Sequence, residues 1–160
     1  MNYQLRKLEK KSLEIIREAK DKFKNLAVLK SGSKESNVCL NLCKRAFFGK
    51  IPFPVLQLNG IEEIKKAIKD HDLEALIVST KIFDSVSDFK NNPCLRICPL
   101  SDWTELDLWL YIKENNIPVE QNVEEIIEKL QTNQASEREE RGKDEEKEEI
   151  MQRLRSLGYR

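Results

Sequence analysis

Leu26-Ala27-Val28-Leu29-Lys30-Ser31-Gly32-Ser33-Lys34-Glu35-Ser36 is the stretch that decides the fold. Four successive apolar residues, Leu26 to Leu29, have the length and type of a buried parallel strand. Small polar residues follow at once. From Val38 to Phe47 the pattern is helical: Val38, Leu42 and Ala46 share a face, flanked by Cys39 and Cys43. Strand, small-residue turn and helix form a generic anion site, because backbone N–H groups at a helix start point at a ligand and the helix dipole favours negative charge. Gly32 permits positive φ or close approach, Ser31, Ser33 and Ser36 add hydroxyl donors, and Lys34 adds a cation. Neither the Walker nor the dinucleotide glycine pattern is met. Taken alone, the turn reads equally as an empty strand-to-helix connection.

Outward from this stretch the same alternation continues. Residues 4–23 read as an amphipathic helix through Leu5, Leu8, Ile15, Ile16, Ala19 and Phe23, with a solvated polar face. Val55 to Leu58 reads as a second strand, closed by Asn59-Gly60. Ile61 to Lys69 is a short helix, and Glu74 to Ser79 a third strand. Residues 80–93 show no period and end in the loop signal Asn91-Asn92-Pro93. Leu95 to Cys98 alternates as a strand, and Asp102 or Thr104 caps a helix that buries Leu106, Trp109, Leu110 and Ile112. Strands alternating with helices predict an α/β domain with a small parallel sheet of about four strands and flanking helices.

The pattern changes after residue 120, so two regions are expected, 1–120 and 121–160. Residues 136–149 hold twelve charges in fourteen, eight acidic and four basic. Only Met151, Leu154 and Leu157 restore an apolar stripe. This tail reads either as a solvated helix laced by i,i+4 pairs or as a segment that orders on a partner. The expectation is a helical tail interrupted near 132–143.

The 160 residues are 39% hydrophobic and 35% charged, with 28 Lys+Arg against 28 Asp+Glu. Zero net charge excludes a strong overall field for nucleic acid or an anionic membrane. No apolar run approaches the roughly 20 residues of a membrane span, and the first residues lack a secretory pattern. A cytoplasmic protein with free thiols is expected. Cys39/Cys43 and Cys94/Cys98 lie four apart, a spacing read as buried core with metal as the alternative. His71 reads as a helix-end residue, and Trp103 and Trp109 as core. Asp107 reads as a solvent or ion-pair residue. Arg96 reads as a cleft residue or as the partner of a carboxylate such as Asp102.

Five stretches resemble a known family: LEKKSLEIIREA, SGSKES with its helix, KRAFFGKIPFPVLQLNG, RICPLSDWTELDLWLYIKENNIPV, and the tail with Ser136-Glu137-Arg138, Arg141 and Gly158-Tyr159. Together they resemble the small subunit of bacterial ATP sulfurylase (sulfate adenylyltransferase subunit 2). More broadly they resemble the PAPS reductase family of ATP-pyrophosphatase-type domains, here in a shortened and partly degenerate form. The resemblance implies an adenine-nucleotide-alpha-hydrolase-like fold. It also implies ATP-dependent adenylyl transfer to sulfate or a related oxyanion, with ATP and Mg²⁺ as ligands. Ser31, Gly32, Ser33, Lys34, Glu35 and Ser36 would then hold pyrophosphate, and Arg96 would contact nucleotide or substrate. The implied partner is a GTPase large subunit, with the tail as docking or self-association element. No catalytic residue and no protein-held metal site is assigned.

Departures from the family pattern give a second reading. Ser33 stands where the family has glycine, Glu35 where it has aspartate, and Asn59 where it has aspartate. A Cβ at position 33 is expected to crowd the approach of a phosphate. After Leu58-Asn59-Gly60 a strand and helix are passed over, and Thr80-Lys81-Ile82-Phe83-Asp84 replaces an arginine-rich loop. These changes favour a non-catalytic descendant that binds nucleotide weakly or serves as a protein-interaction module. A thiol-bearing reductase is a third option, without a matching C-terminal cysteine.

Overall fold

The computed structural model describes residues 2–80 and 94–158. The expectations for 81–93 and for Tyr159, and any reading of the Arg138 side chain, lie outside the described residues. The elements run α1 Tyr3–Lys22, β1 Leu26–Lys30, α2 Lys34–Ala46, β2 Val55–Gln57 and α3 Ile61–Asp70. They continue with β3 Ala75–Ile77, β4 Leu95–Ile97, α4 Glu105–Glu114 and α5 Val123–Ser156. The chain divides into two units, Met1–Val119 and Glu120–Arg160.

In the first unit four parallel strands stand in the order β2-β1-β3-β4. Val28 pairs with both Val55 and Ile77, which places β1 at the centre. The chain runs from β1 to one side, then crosses back past β1 to β3. Its two crossover helices therefore lie on opposite faces, and the strand order reverses beside β1. Ala27, Leu29, Leu76 and Val78 pack with Ile64 and Ile68 of α3 on one face. Leu26, Val28, Ala75 and Ile77, also buried, face the other way, where α1, α2 and α4 pack on one another. Burial on both faces explains why β1 reads as an unbroken apolar run.

Local chemistry sets the helix ends. Asn2 Oδ1 accepts from the Leu5 amide at 2.7 Å and starts α1. Ser12, fully buried on α1, donates to the Pro99 carbonyl at 2.7 Å and accepts from Trp103 Nε1 at 2.9 Å. One hydroxyl thus ties α1 to the segment before α4.

Several expectations are corrected. Helix α2 begins at Lys34 rather than Val38, because Ser33 is its N-cap and accepts from the Ser36 amide at 3.1 Å. The buried face of α4 is Leu108, Trp109, Tyr111 and Ile112; Leu106 and Leu110 are half-buried. Thr104, not Asp102, caps α4. Asp107 closes its capping box, accepting from the Thr104 amide at 2.9 Å, and is not simply a solvent residue. Asp102 instead pairs with Lys11. Replacing Thr104 with alanine removes the cap and is expected to lower stability by about 1 kcal/mol in urea unfolding.

In the second unit α5 is one uninterrupted helix of 34 residues, so the expected break near 132–143 is absent. Asn122 caps it, and Lys129 pairs with Glu125 at 3.0 Å across one turn. Glu, Lys, Gln and Arg are good helix formers, and their sum outweighs the about 1 kcal/mol cost of Gly142. Ile150, Met151, Leu154 and Leu157 are all exposed. Among the described residues no helix is long and apolar enough to cross a membrane.

Candidate anion-binding cleft at the strand ends

The carboxyl ends of β1, β2 and β3 open onto one cleft of about 440 Å³. Leu29, Leu58, Ile61 and Ile64 form its apolar wall. Ser31, Ser33 and Glu35 come from the β1–α2 connection, and Ser79 and Thr80 follow β3. Parallel sheets bind ligands at this end, beside the strand where the order reverses.

The connection itself is a closed hydrogen-bond ring. Gly32 adopts φ +82°, a conformation that disfavours any side chain. The Ser31 amide donates to Ser36 Oγ at 3.0 Å, and Ser31 and Ser33 hydroxyls lie 3.1 Å apart. Ser36 is fully buried, which makes it a positioning group rather than a ligand. Ser33 has an extended backbone, so its Cβ is compatible with the turn, and its hydroxyl is engaged as the cap.

Lys34 does not extend freely toward the cleft. Its ammonium lies 2.9 Å from Glu35 Oε1, 3.0 Å from Glu105 Oε1 and 5.6 Å from the Trp109 ring centroid. Glu105 Oε1 also accepts from Trp109 Nε1 at 3.0 Å. Partial burial alone would lower the Lys34 pKa, but the hydrogen bonds to Glu35 and Glu105 outweigh it and hold the ammonium above its ordinary value. Partial burial likewise would raise the Glu35 pKa. Hydrogen bonds from Lys34, from its own backbone N–H and from Ser33 hold it below the usual range instead. The Glu35 carboxylate is thus received by the helix start, a hydroxyl and a lysine. These are the groups that would receive an incoming anion.

Of the residues singled out from sequence, Ser31, Ser33 and Glu35 line the cleft. Gly32 shapes the turn, Lys34 is held at its flank, and Ser36 supports it from within the core. Arg96 lies half-buried in the middle of β4, opposite Leu76, and is not among the residues lining the cleft. Sequence reasoning missed Glu105, whose role rests on a contact 71 positions from Lys34 that no local pattern announces. The signal for Asn59-Gly60 and Ser79-Thr80 was present, since both follow parallel strands.

The cleft offers few donors to the Mg²⁺ that the resemblance implies. Glu35 is the one carboxylate among the described residues that line the cleft, with the Asn59 side chain nearby in the same lining. Mg²⁺ commonly takes one or two carboxylates plus substrate phosphates, so this set fits an ion shared with a phosphate ligand. Among the described residues no cluster of three or more His, Cys, Asp or Glu is placed to hold a metal alone. Cys39 and Cys43 are buried on α2, and their mutual hydrogen bond, with burial, pushes the Cys39 thiol well up. Both thiols are buried away from an incoming substrate.

The family model for the "Phosphoadenosine phosphosulfate reductase domain" matches residues 54–130. A "Sulfate adenylyltransferase subunit 2" of Phocaeicola vulgatus is 25% identical over 72% of this chain and 65% of its own length. The protein of that name from Aeromonas hydrophila is 42% identical over 42% of this chain and 23% of its own length. The chain therefore spans less than two thirds of these relatives. Among solved structures, a phosphoadenylyl-sulfate (PAPS) reductase from Candida auris, in a phosphate complex, superposes with a TM-score of 0.50 at 15% identity. That superposition covers 74% of this chain and 89% of the reductase, and it supports the fold alone.

Proposed function

We propose, from the match of residues 54–130 to the phosphoadenosine phosphosulfate reductase domain, that the cleft of this chain binds the phosphates of ATP for adenylyl transfer to sulfate or a related oxyanion. The observation that carries this reading is the joining of the β1–α2 turn to an apolar-walled cleft at the strand ends. A cleft with an apolar wall and an anion-receiving turn suits a ligand with a flat base at one end and phosphates at the other.

In this reaction the oxyanion attacks the α-phosphorus, the α–β P–O bond breaks, and pyrophosphate leaves. The protein's task is to hold the groups in line and to offset charge. The first-turn amides of α2 and the Ser31 and Ser33 hydroxyls would hold the pyrophosphate. Lys34 would add a positive charge once released from Glu35. Glu35 and Asn59 would hold Mg²⁺, which when bound neutralises phosphate charge. The proposed partner is a GTPase large subunit, contacted through the tail, and the proposed compartment is the cytoplasm.

One observation favours a second reading, that of a non-catalytic module with weak nucleotide binding. Lys34 already faces two carboxylates, and Glu35 fills the place of an anion. Calorimetric titration with ATP and a non-hydrolysable analogue, with and without Mg²⁺, separates these readings when paired with an assay of sulfate-dependent pyrophosphate release. Saturable binding with release supports the transferase. Saturable binding without release assigns the module. No heat with any nucleotide defeats both.

A further inference from the structure

A second concave surface lies on the opposite side of the β1–α2 connection from the cleft. It is a groove of about 410 Å³ whose polar lining is Lys30, Asn37, Asn41, Lys44, Asn115 and Asn116. Among the described residues no carboxylate lines it, in a chain with 28 of them. Asn37, Asn41 and Lys44 follow at spacings of four and three, which puts them on one face of α2. Lys30 ends β1 and points away from the side of its neighbour Leu29, which lines the cleft. Among the described residues neither Lys30 nor Lys44 makes an ion pair.

Two of the asparagines, Asn41 and Asn115, are oriented by the protein. Tyr111 donates its hydroxyl to Asn41 Oδ1 at 2.7 Å. Burial first of all pushes that phenol up to about 12, so it remains a donor at any physiological pH. Arg45 donates to Asn115 Oδ1 at 2.7 Å, and a guanidinium can only donate. Asn115 Nδ2 spends one hydrogen on the Tyr111 carbonyl at 3.0 Å. The Asn41 and Asn115 oxygens are therefore each engaged inside the protein. With their oxygens held from inside, Asn41 and Asn115 keep free N–H to offer, and the lysines have only N–H to give.

We propose that this groove is a second ligand site, one that binds a tetrahedral oxyanion, sulfate or phosphate, free or carried on a small polar body. A surface of two lysines and amide donors, with no acid among its described lining residues, favours such anions over cations. An inorganic oxyanion would engage Lys30 and Lys44 first, and the volume leaves room for an attached sugar. The site is independent of nucleotide chemistry in the cleft, although it shares the β1–α2 connection with it.

The test is an NMR titration of the intact chain with inorganic sulfate, inorganic phosphate and ribose 5-phosphate, following amides of both surfaces. Saturable shifts at Asn37, Asn41, Lys44 and Asn116 are expected. Exchanging each lysine, Lys30→Met and Lys44→Met, should weaken binding about tenfold and leave any shifts at Gly32 and Gly60 unchanged. Tighter binding of ribose 5-phosphate than of the inorganic ions assigns the carried form, and equal binding the free form. Shifts confined to the cleft, shifts indifferent to both lysine exchanges, or no saturable shift in the millimolar range overturn the proposal. Lys44 is exposed, so Lys44→Met serves alone if Lys30→Met perturbs the far-ultraviolet spectrum.

Discussion

Without Mg²⁺, Glu35→Gln is expected to tighten pyrophosphate and ATP binding in the cleft by about tenfold, or ~1.4 kcal/mol, a gain that Mg²⁺ should reduce because Glu35 is its proposed holder. In the wild-type chain the Glu35 carboxylate takes a hydrogen bond from Lys34 at 2.9 Å, and its own backbone N–H and Ser33 also donate to it. An entering phosphate must compete with that carboxylate for the same donors and meets its charge at close range. Glutamine keeps the shape, removes the charge and leaves Lys34 with Glu105 as its one carboxylate partner. Calorimetry on the two chains gives the answer directly. Equal affinities would mean that Glu35 moves aside without cost. The companion change, Ser33→Gly and Glu35→Asp together, tests the expected crowding at residue 33. Because Ser33 is the cap of α2 and already extended, most of any gain should come from residue 35.

The same carboxylate sets a pH dependence. Its folded pKa lies below the ordinary 4.5, so the stability it contributes is present above that value and lost as pH falls through the folded pKa. Lys34 has the opposite sign: its contribution is present below the ordinary 10.5 and lost as pH rises through the raised folded value. Glu35→Gln should therefore flatten the acid side of a stability–pH curve. Partial exposure of both groups keeps the effect modest.

Removing residues 133–160 is expected to abolish self-association and partner binding while leaving the thermal midpoint nearly unchanged. None of residues 131–137 and 141–158 is buried, so their removal takes little covered surface with it. Ile150, Met151, Leu154 and Leu157 recur on one stretch of the helix and are the apolar groups it has to offer another chain. Light scattering and a thermal melt on the full and shortened chains provide both readouts. A large loss of stability with unaltered association would assign the tail to the core instead.

The fold was legible where one residue class repeats at one period. Leu26 to Leu29 and the run from Ala75 to Val78 announced strands buried on both faces, and the alternation with helices announced the parallel sheet. The start of α2 was less legible, because Lys34, Glu35 and Ser36 carry no apolar period and only the cap geometry of Ser33 admits them to the helix. Tyr111 was missed on the buried face of α4, since its polar end finds Asn41 only in the folded chain. In α5 the difficulty was reversed. A run of charges looks unstructured until its helix propensity is summed over its length. Of the cleft, the turn could be read and its partners could not. Glu105 reaches Lys34 by tertiary packing, and the apolar wall comes from residues after β2 that look like ordinary core.

The stacking of Lys34 over Trp109 gives this chain an optical property. The indole sees an ammonium 5.6 Å above its ring and a carboxylate on its N–H. Fluorescence of an indole responds to both charges, so any ligand that draws Lys34 toward the turn should change the emission of Trp109 without an added dye. Trp103, the only other tryptophan, lies edge-on to Tyr111 and bonded to Ser12, so Trp103→Phe would leave a single native emitter beside the β1–α2 turn.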